Sequence, residues 1–294
     1  MKAKVVNFGS INIDHVYKVN HFVQPGETLS SLGLTTGLGG KGANQSAALA
    51  RAGVDVAHIG RISKADQWAL EMLASLNVKT DCISLIDGPS GHAIIQVDDK
   101  GENAIVLHGG ANQGFQHSDL QQIFNELDSV EYLLMQNETN LLAQAFELAK
   151  QKGIKIVFNP APMTDGIKDL PLQTLDTLIV NQGEAQALCG ASSLDDIVQE
   201  LKTMLPNVRI VITLGGEGAL LISADGEISR SRVEAERIVD TTAAGDTFVG
   251  YFLAGLVDGL NEKDCLLRAC QAGALAVTRE GAISAIPALN ELDT

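Results

Sequence analysis

Short apolar runs alternate with segments of helical spacing along most of this chain, and few folds accept that alternation. Residues 5–8, 54–59, 132–135, 154–158, 177–180 and 209–213 read as strands. Residues 43–52, 67–76, 141–150 and 194–205 carry helical spacing between them, and 248–257 adds a helix near the end. Strand and helix in turn predict an α/β fold, a doubly wound and mostly parallel sheet flanked by helices. Composition agrees: 45% of the 294 residues are hydrophobic but only 4% aromatic, so aliphatic side chains must pack the interior, as in sheets buried on both faces. That length supports one large domain or two smaller ones.

Two stretches break the rhythm, both in the N-terminal half. Residues 28–36 lead to no helix before Ala43, and residues 91–108 form two β-rich runs around a turn at 98–102. Together, about 14–38 and 90–110 are expected to build a small β-sheet flap on a single domain spanning 1–294. Open sheet edges tend to be covered, so a homodimer through the flap is expected as well.

The formal net charge of −15 disfavours nucleic-acid and membrane partners, because neither a phosphate backbone nor anionic headgroups would attract this chain. A nucleotide remains open to it, since local dipoles and a metal ion can hold one. Cys82, Cys189, Cys265 and Cys270 show no Cys-x-x-Cys spacing and no His partners at zinc distances. No apolar run approaches a membrane span, and the N-terminus reads as a strand rather than a secretory signal. A reduced, cytoplasmic setting is expected. His15, His21, His58, His92, His108 and His117 form no metal spacing and read as surface or pocket residues.

Asp240-Thr241-Thr242-Ala243-Ala244-Gly245-Asp246-Thr247 opens the helical run at Phe248. Small residues at a helix start leave N–H groups open to a ligand, and with the helix dipole they make an anion site. Asp246 sits just inside it, with no evident packing role. Phosphoryl transfer to a hydroxyl needs such a cradle, here the N–H groups of Ala243, Ala244 and Gly245, and a base beside it. The plainer alternative is a glycine turn with Asp246 as a cap.

The run Gly37-Leu38-Gly39-Gly40-Lys41-Gly42 satisfies Gly-x-Gly-x-x-Gly literally. It does not follow the first strand as a dinucleotide fingerprint would, and it lacks the first glycine and the Ser/Thr of a Walker loop. It lets backbone approach a ligand and adds Lys41 and Asn44 at a helix start, or it is a tight turn. Asn12 and Asp14, read at the carboxyl end of the first strand, would point the same way from an extended chain. An Asx turn is the competing account.

Gly39-Gly40-Lys41-Gly42-Ala43-Asn44 and the stretch 240–247 resemble, in the expected order, the two signatures of the ribokinase-like (PfkB) sugar kinases. The resemblance runs from about residue 4 to 287. It implies an ATP-dependent kinase whose β lid closes on the sugar and often pairs between subunits. It implies sugar contacts from Asn12, Asp14, Gly40, Lys41, Asn44 and Glu138, with Asp246 as base. Nucleotide contacts would come from Thr213, Gly215 and Gly218. Asn181 and Glu184 match an Asn-x-x-Glu element that organises magnesium and phosphates through water, which suits a cation that keeps its waters. Asn181 could equally cap a helix, and 213–218 could be a hairpin turn. A monovalent cation, potassium by expectation, would be held by Asp240, Thr242 and the segment carrying Ala276, Arg279 and Gly281. There the chain departs from the family: Ala285 stands where a serine is usual, with Ser284 beside it.

The expected activity is transfer of the γ-phosphoryl group of ATP, with Mg2+, to the primary hydroxyl of a pentose, D-ribose first. A kinase for 2-deoxyribose or a nucleoside is the alternative within the class. A nicotinamide-dependent oxidoreductase would use 37–42 but leave 240–247 unexplained, and a non-catalytic sugar-binding protein would have no use for Asp246.

Overall fold

The computed structural model describes residues 2–292. β1 (Val5–Phe8) enters the centre of the molecule, β2 (Asn12–Lys18) and β3 (Gly33–Gly39) leave it, and α1 (Lys41–Arg51) returns. Next come β4 (Val56–Ser63), α2 (Gln67–Ser75), β5 (Ile83–Ile86) and the hairpin β6 (Gly91–Val97) and β7 (Asn103–His108). Then follow α3 (His117–Glu126), β8 (Tyr132–Gln136), α4 (Leu142–Gln151), β9 (Lys155–Asn159), β10 (Thr177–Asn181), α5 (Gln182–Cys189) and α6 (Leu194–Met204). The chain ends through β11 (Arg209–Thr213), β12 (Ala219–Ile222), β13 (Ile228–Ser231), α7 (Ala244–Val257) and α8 (Glu262–Ala276).

Nine strands form one sheet in the order β13-β12-β11-β10-β9-β8-β1-β4-β5. It is parallel from β11 to β5, with β12 and β13 antiparallel at one edge. The direction of winding reverses beside β1: the chain moves outward through β4 and β5, then resumes on the other side with β8. A crevice opens at such a switch, outside the carboxyl ends of β1 and β8.

Alternating side chains feed two cores. Val5, Leu134, Val157 and Val211 pack with α1, α7 and α8, while Val6, Leu133, Ile156 and Ile210 pack with α3 to α6. On the first face a polar residue follows two positions after an apolar one in four strands. Asn7 follows Val5, His58 follows Val56, Gln136 follows Leu134 and Asn159 follows Val157, and all four polar side chains are buried. α7 is buried from Asp246 to Gly255, which only an apolar helix tolerates. A Cβ on Gly250 would lie 2.4 Å from the Cβ of Ala48, so α7 meets α1 almost backbone to backbone.

The second sheet has the order β3-β2-β6-β7. It starts at Asn12, not 14, so Asn12 and Asp14 open the small sheet and do not close β1; residues 9–11 separate the two. Both faces carry exposed apolar side chains: Ile94 and Val106 lie opposite one another, and Ile105 and Leu107 alternate with Val106. Helix α7 begins at Ala244, ahead of the expected Phe248, because Ala243 enters it with a left-handed φ of 57°. No helix among the described residues is long and apolar enough to cross a membrane.

Gly250→Ala forces the two helices apart. The expected loss is about 1–3 kcal/mol, the usual cost of overpacking a tight interior. Urea unfolding measures it, and a midpoint equal to wild type would contradict the close α1–α7 approach.

Candidate active site

Asp246, in the first turn of α7, is only 7% exposed. Its Oδ2 accepts from Asn44 Nδ2 at 2.9 Å and its Oδ1 from Gln45 Nε2 at 2.9 Å. Burial pushes the carboxyl pKa above its ordinary value, against the pull of Lys41, Asn44 and Gln45. Lys41 opens α1, and the charge of Asp246, outweighing burial, holds its ammonium pKa above the usual range, with help from Glu138 and Glu184. Asn44 Oδ1 is buried with no partner among the described residues.

Glu138 lies just past the carboxyl end of β8. It accepts from the Ser10 hydroxyl and, at 3.1 Å, from the Lys41 backbone N–H. Burial raises its pKa, and those donors with the Lys41 charge oppose the rise. Asp14 is pushed up to about 6, by burial first and the Glu138 charge second. Asn12 is buried, and its Oδ1 accepts from Asn112 Nδ2 at 2.8 Å. Asn112 also receives the Ile11 N–H at 3.0 Å, fixing the turn that carries Asn12.

The glycine run is a matter of clearance. A Cβ on Gly39 would fall 1.9 Å from an Asp14 carboxylate oxygen, and one on Gly42 would fall 2.4 Å from the Ser10 nitrogen. The run therefore joins strand β3 of the small sheet to α1 and seats both against the turn after β1. It is not a loop leading out of β1, which removes the one motif that favoured a nicotinamide-dependent oxidoreductase.

Thr213 ends β11 beside Asn181, which ends β10. Residues 213–218 form the hairpin into β12, with Gly215 at φ 59° and Gly218 at φ 85°. Asn181 and Glu184 make a reciprocal cap: Asn181 Oδ1 accepts from the Glu184 N–H at 2.8 Å, and Glu184 Oε2 accepts from the Asn181 N–H at 2.9 Å. Asn181 is exposed and Glu184 half-buried, and the charge of Glu184 acts on Lys41.

Asp240 ties this loop to the C-terminal segment. Its Oδ1 accepts from the Thr242 N–H at 2.8 Å and hydroxyl at 2.6 Å, and its Oδ2 accepts from the Gly281 N–H at 2.9 Å. Partial burial acts to raise its pKa, but these donors leave it lowered. Ala243 stands in a backbone region that costs a non-glycine residue energy, and the Ala244 N–H makes a 3.3 Å bond to the Thr241 carbonyl. Ala276 closes α8, and the Arg279 guanidinium turns away to Glu291 at 2.7 Å.

Residues far apart in sequence are thus brought together: Asn12, Asp14, Gly40, Lys41, Asn44, Glu138 and Asp246 are joined by hydrogen bonds, close backbone approach and mutual charge effects. Sequence reasoning missed Ser10, Gln45, Asn112, Gln136 and Asn159. It also misjudged His58, which is fully buried with its pKa pushed down by burial to about 4. One cavity of about 540 Å³ lies on the opposite face of the small sheet, beside His15, Tyr17, Asp66 and His92. A second, of about 490 Å³, lies by the hairpin, beside Gln182, Glu217, Arg230 and Arg232. Neither includes Asp246, so chemistry and not cavity size marks the site.

A carboxylate ringed by amide donors at a helix start, at the switch point of such a sheet, is the arrangement of a phosphotransferase acting on sugar hydroxyls. The chain belongs to the pfkB family of carbohydrate kinases, whose pattern matches residues 2–289. It is 35% identical to the ribokinase of Haemophilus influenzae, over 99% of this chain and 97% of that one. The crystal structure of Cryptococcus neoformans ribokinase in complex with ADP matches with a TM-score of 0.85 at 36% identity, over 98% of each chain. Arabidopsis thaliana ribokinase complexed with ribose and ATP matches with a TM-score of 0.88 at 27% identity, over 99% of this chain and 97% of that one.

Because folding lifts the Asp14 pKa from 3.8 to about 6, the folded protein prefers the protonated form. Its stability therefore falls, relative to a neutral side chain, as pH rises from about 4 to about 6. Asp14→Asn should gain on wild type across that window and keep a constant advantage above it. Urea unfolding at several pH values tests this, and a pH-independent difference would contradict the burial of a titrating Asp14.

Proposed function

We propose that this kinase transfers the γ-phosphoryl group of ATP to the primary hydroxyl of D-ribose, giving ribose 5-phosphate, with Asp246 as the base. The observation that carries the reading is the pose of Asp246, each carboxylate oxygen held by an amide N–H and the whole group beside Lys41. Phosphoryl transfer asks little covalent chemistry of a protein; it asks for alignment, a base and stabilisation of charge. Asp246 takes the hydroxyl proton as that oxygen attacks. The N–H groups of Ala243 and Gly245, at the positive end of α7, face the charge on the phosphoryl group, and that of Ala244 joins them on leaving its long 3.3 Å bond to the Thr241 carbonyl.

The acceptor end suits a polyol. Asp14, Glu138 and Asp246 present carboxyl oxygens, each with its pKa raised chiefly by burial, and Asn44 Oδ1 is an open acceptor. Hydroxyl donors satisfy all of them, whereas a nucleobase would leave several unpaired. The ribokinases among the relatives favour a pentose over other sugars.

ATP enters as its magnesium complex. Asn181 and Glu184 would hold the magnesium, which would neutralise phosphate charge, and Thr213, Gly215 and Gly218 would approach the phosphates and ribose of ATP. Asp240, held ionised, with Thr242 and the carbonyls of Ala276, Arg279 and Gly281, offers hard oxygen donors suited to potassium. Ser284, next to Ala285, would supply the missing hydroxyl; its Oγ donates to the Glu280 carbonyl at 3.0 Å and keeps its lone pairs for a cation. In this reading residues 1–294 act as one domain. The sheet built from β2, β3, β6 and β7 is a lid that closes on the sugar and pairs two subunits through its apolar face. ATP supply favours a cytoplasmic setting.

ADP release from Mg-ATP and D-ribose should be faster in potassium than in sodium buffer. Asp246→Asn should lower kcat by roughly 10²–10⁴-fold, the usual worth of a positioned base, and leave sugar binding nearly intact. Near-normal turnover in that variant would remove Asp246 from the role. Binding without turnover in the wild type, across pentoses and nucleosides, would instead indicate a sugar-binding protein. Sedimentation should give twice the 31.0 kDa chain mass, and Val106→Glu on the exposed lid face should halve it; a monomeric wild type would refute the pairing.

A further inference from the structure

Gln45 is fully buried in α1 and spends every polar atom. Its Nε2 donates to Asp246 Oδ1 at 2.9 Å and to Asn159 Oδ1 at 3.0 Å, and its Oε1 accepts from Gln136 Nε2 at 2.7 Å. Gln136 Nε2 also donates to Asn7 Oδ1 at 3.0 Å. Asn7 Nδ2 donates to the Gly42 carbonyl at 2.8 Å and to Ser46 Oγ at 2.9 Å. Ser46 Oγ lies 2.8 Å from His58 Nδ1, and His58 Nε2 lies 3.1 Å from the Gly9 carbonyl.

The direction of each bond follows from its ends. A carbonyl oxygen only accepts, so His58 carries its proton on Nε2 and its Nδ1 accepts from the Ser46 hydroxyl. At the other end Asn159 Nδ2 donates to the Ile179 carbonyl at 2.9 Å, which leaves Asn159 Oδ1 as an acceptor. A turned Gln45 amide would set oxygen against Asp246 and Asn159 and N–H against the N–H of Gln136. Backbone carbonyls of β10 and of the turn after β1 thereby dictate which atom of Gln45 meets Asp246.

We infer that Gln45 is a positioning residue for phosphoryl transfer: locked by the Gln136–Asn7–Ser46–His58 chain, it holds the Asp246 carboxylate in one orientation and offers it only a donor. This rests on Asp246 being the base. Hydrogen bonds to an ionised group are the strong ones, so losing this donor disfavours the carboxylate form. The charged groups that sense Asp246 are Lys41 and Glu138, and both remain in the variant. His58, at the far end, titrates near 4 and stays neutral through the working range.

Gln45→Met keeps the volume and removes the donor. Steady-state kinetics with Mg-ATP and D-ribose across the pH range should show kcat reduced roughly tenfold to a hundredfold with KM for ribose little changed. The acid limb of kcat should move up by about one pH unit, the worth of one charge-assisted bond. A residue that only fills space would alter stability and leave that limb in place. Unchanged kcat and limb in Gln45→Met, with Asp246→Asn inactive, would overturn the inference and leave the base standing. Normal turnover in Asp246→Asn would remove the base, and this inference with it. If Gln45→Met shows no cooperative unfolding, Gln45→Leu decides, because it removes the same donor with a smaller side chain: an upward limb supports the inference, and an unmoved limb overturns it.

Discussion

A carboxylate shut away from water is costly unless donors surround it, and the burial of Asp246 organises much of this molecule. α1 places Lys41, Asn44 and Gln45 at i, i+3 and i+4, one face of one helix, and α7 supplies Asp246 against that face. The two helices meet closely enough only because residue 250 is glycine and residue 48 is alanine. A satisfied buried hydrogen bond contributes about 1 kcal/mol net, while an orphaned polar group costs about 1–3 kcal/mol. The amide network therefore adds little stability when complete and forfeits much when broken. Its return is a single pose for one carboxylate, which is worth more to chemistry than to folding.

The strand order fixes how far the two ends of the reaction stand apart. Glu138 follows β8 and Asn181 ends β10, two strands away; at about 4.8 Å per strand that is about 10 Å. Asp246 reaches the space between from α7 above. The end proposed for the sugar gathers carboxylates around one lysine, whereas the end proposed for the phosphates would rely on backbone N–H groups at a helix start. An overall charge of −15 is compatible with an anionic nucleotide because helix termini and glycine turns carry no net charge of their own.

Much of the architecture was legible in the sequence because strand–helix alternation and glycine clusters are local signals. Residues 91–108 announced a hairpin through their turn, and the two signatures announced the crevice. What stayed hidden is non-local. Asn7, Gln136 and Asn159 looked like stray polar residues closing apolar strands; only their period of two after Val5, Leu134 and Val157 puts them on one face. Asn12 and Asp14 were assigned to the end of β1 because the buried apolar Ile11 disguises the turn after Phe8. The start of α7 was placed late because Ala244 and Gly245 carry no amphipathic signal. The contact between Gln45 and Asp246 spans 201 positions, and no pattern along the chain encodes it.

The residues proposed to face the sugar divide between the two sheets. Asn12 and Asp14 belong to the small sheet, whose base is pinned where Asn112 holds the turn at Ile11 and Asn12. Lys41, Asn44, Glu138 and Asp246 belong to the main sheet and its helices. In the proposed reading, movement of the small sheet would change what grips the acceptor while leaving Asp246 in place, because the network behind Asp246 runs through α1, β1 and the turn after it, β4, β8, β9 and β10. Contacts made on closure of such a lid would be free to hold and align the sugar and would expel water as they form. On the proposed reading, affinity and chemistry would fall to separate elements of one fold: closure of the small sheet would govern capture, and the close α1–α7 contact would govern transfer.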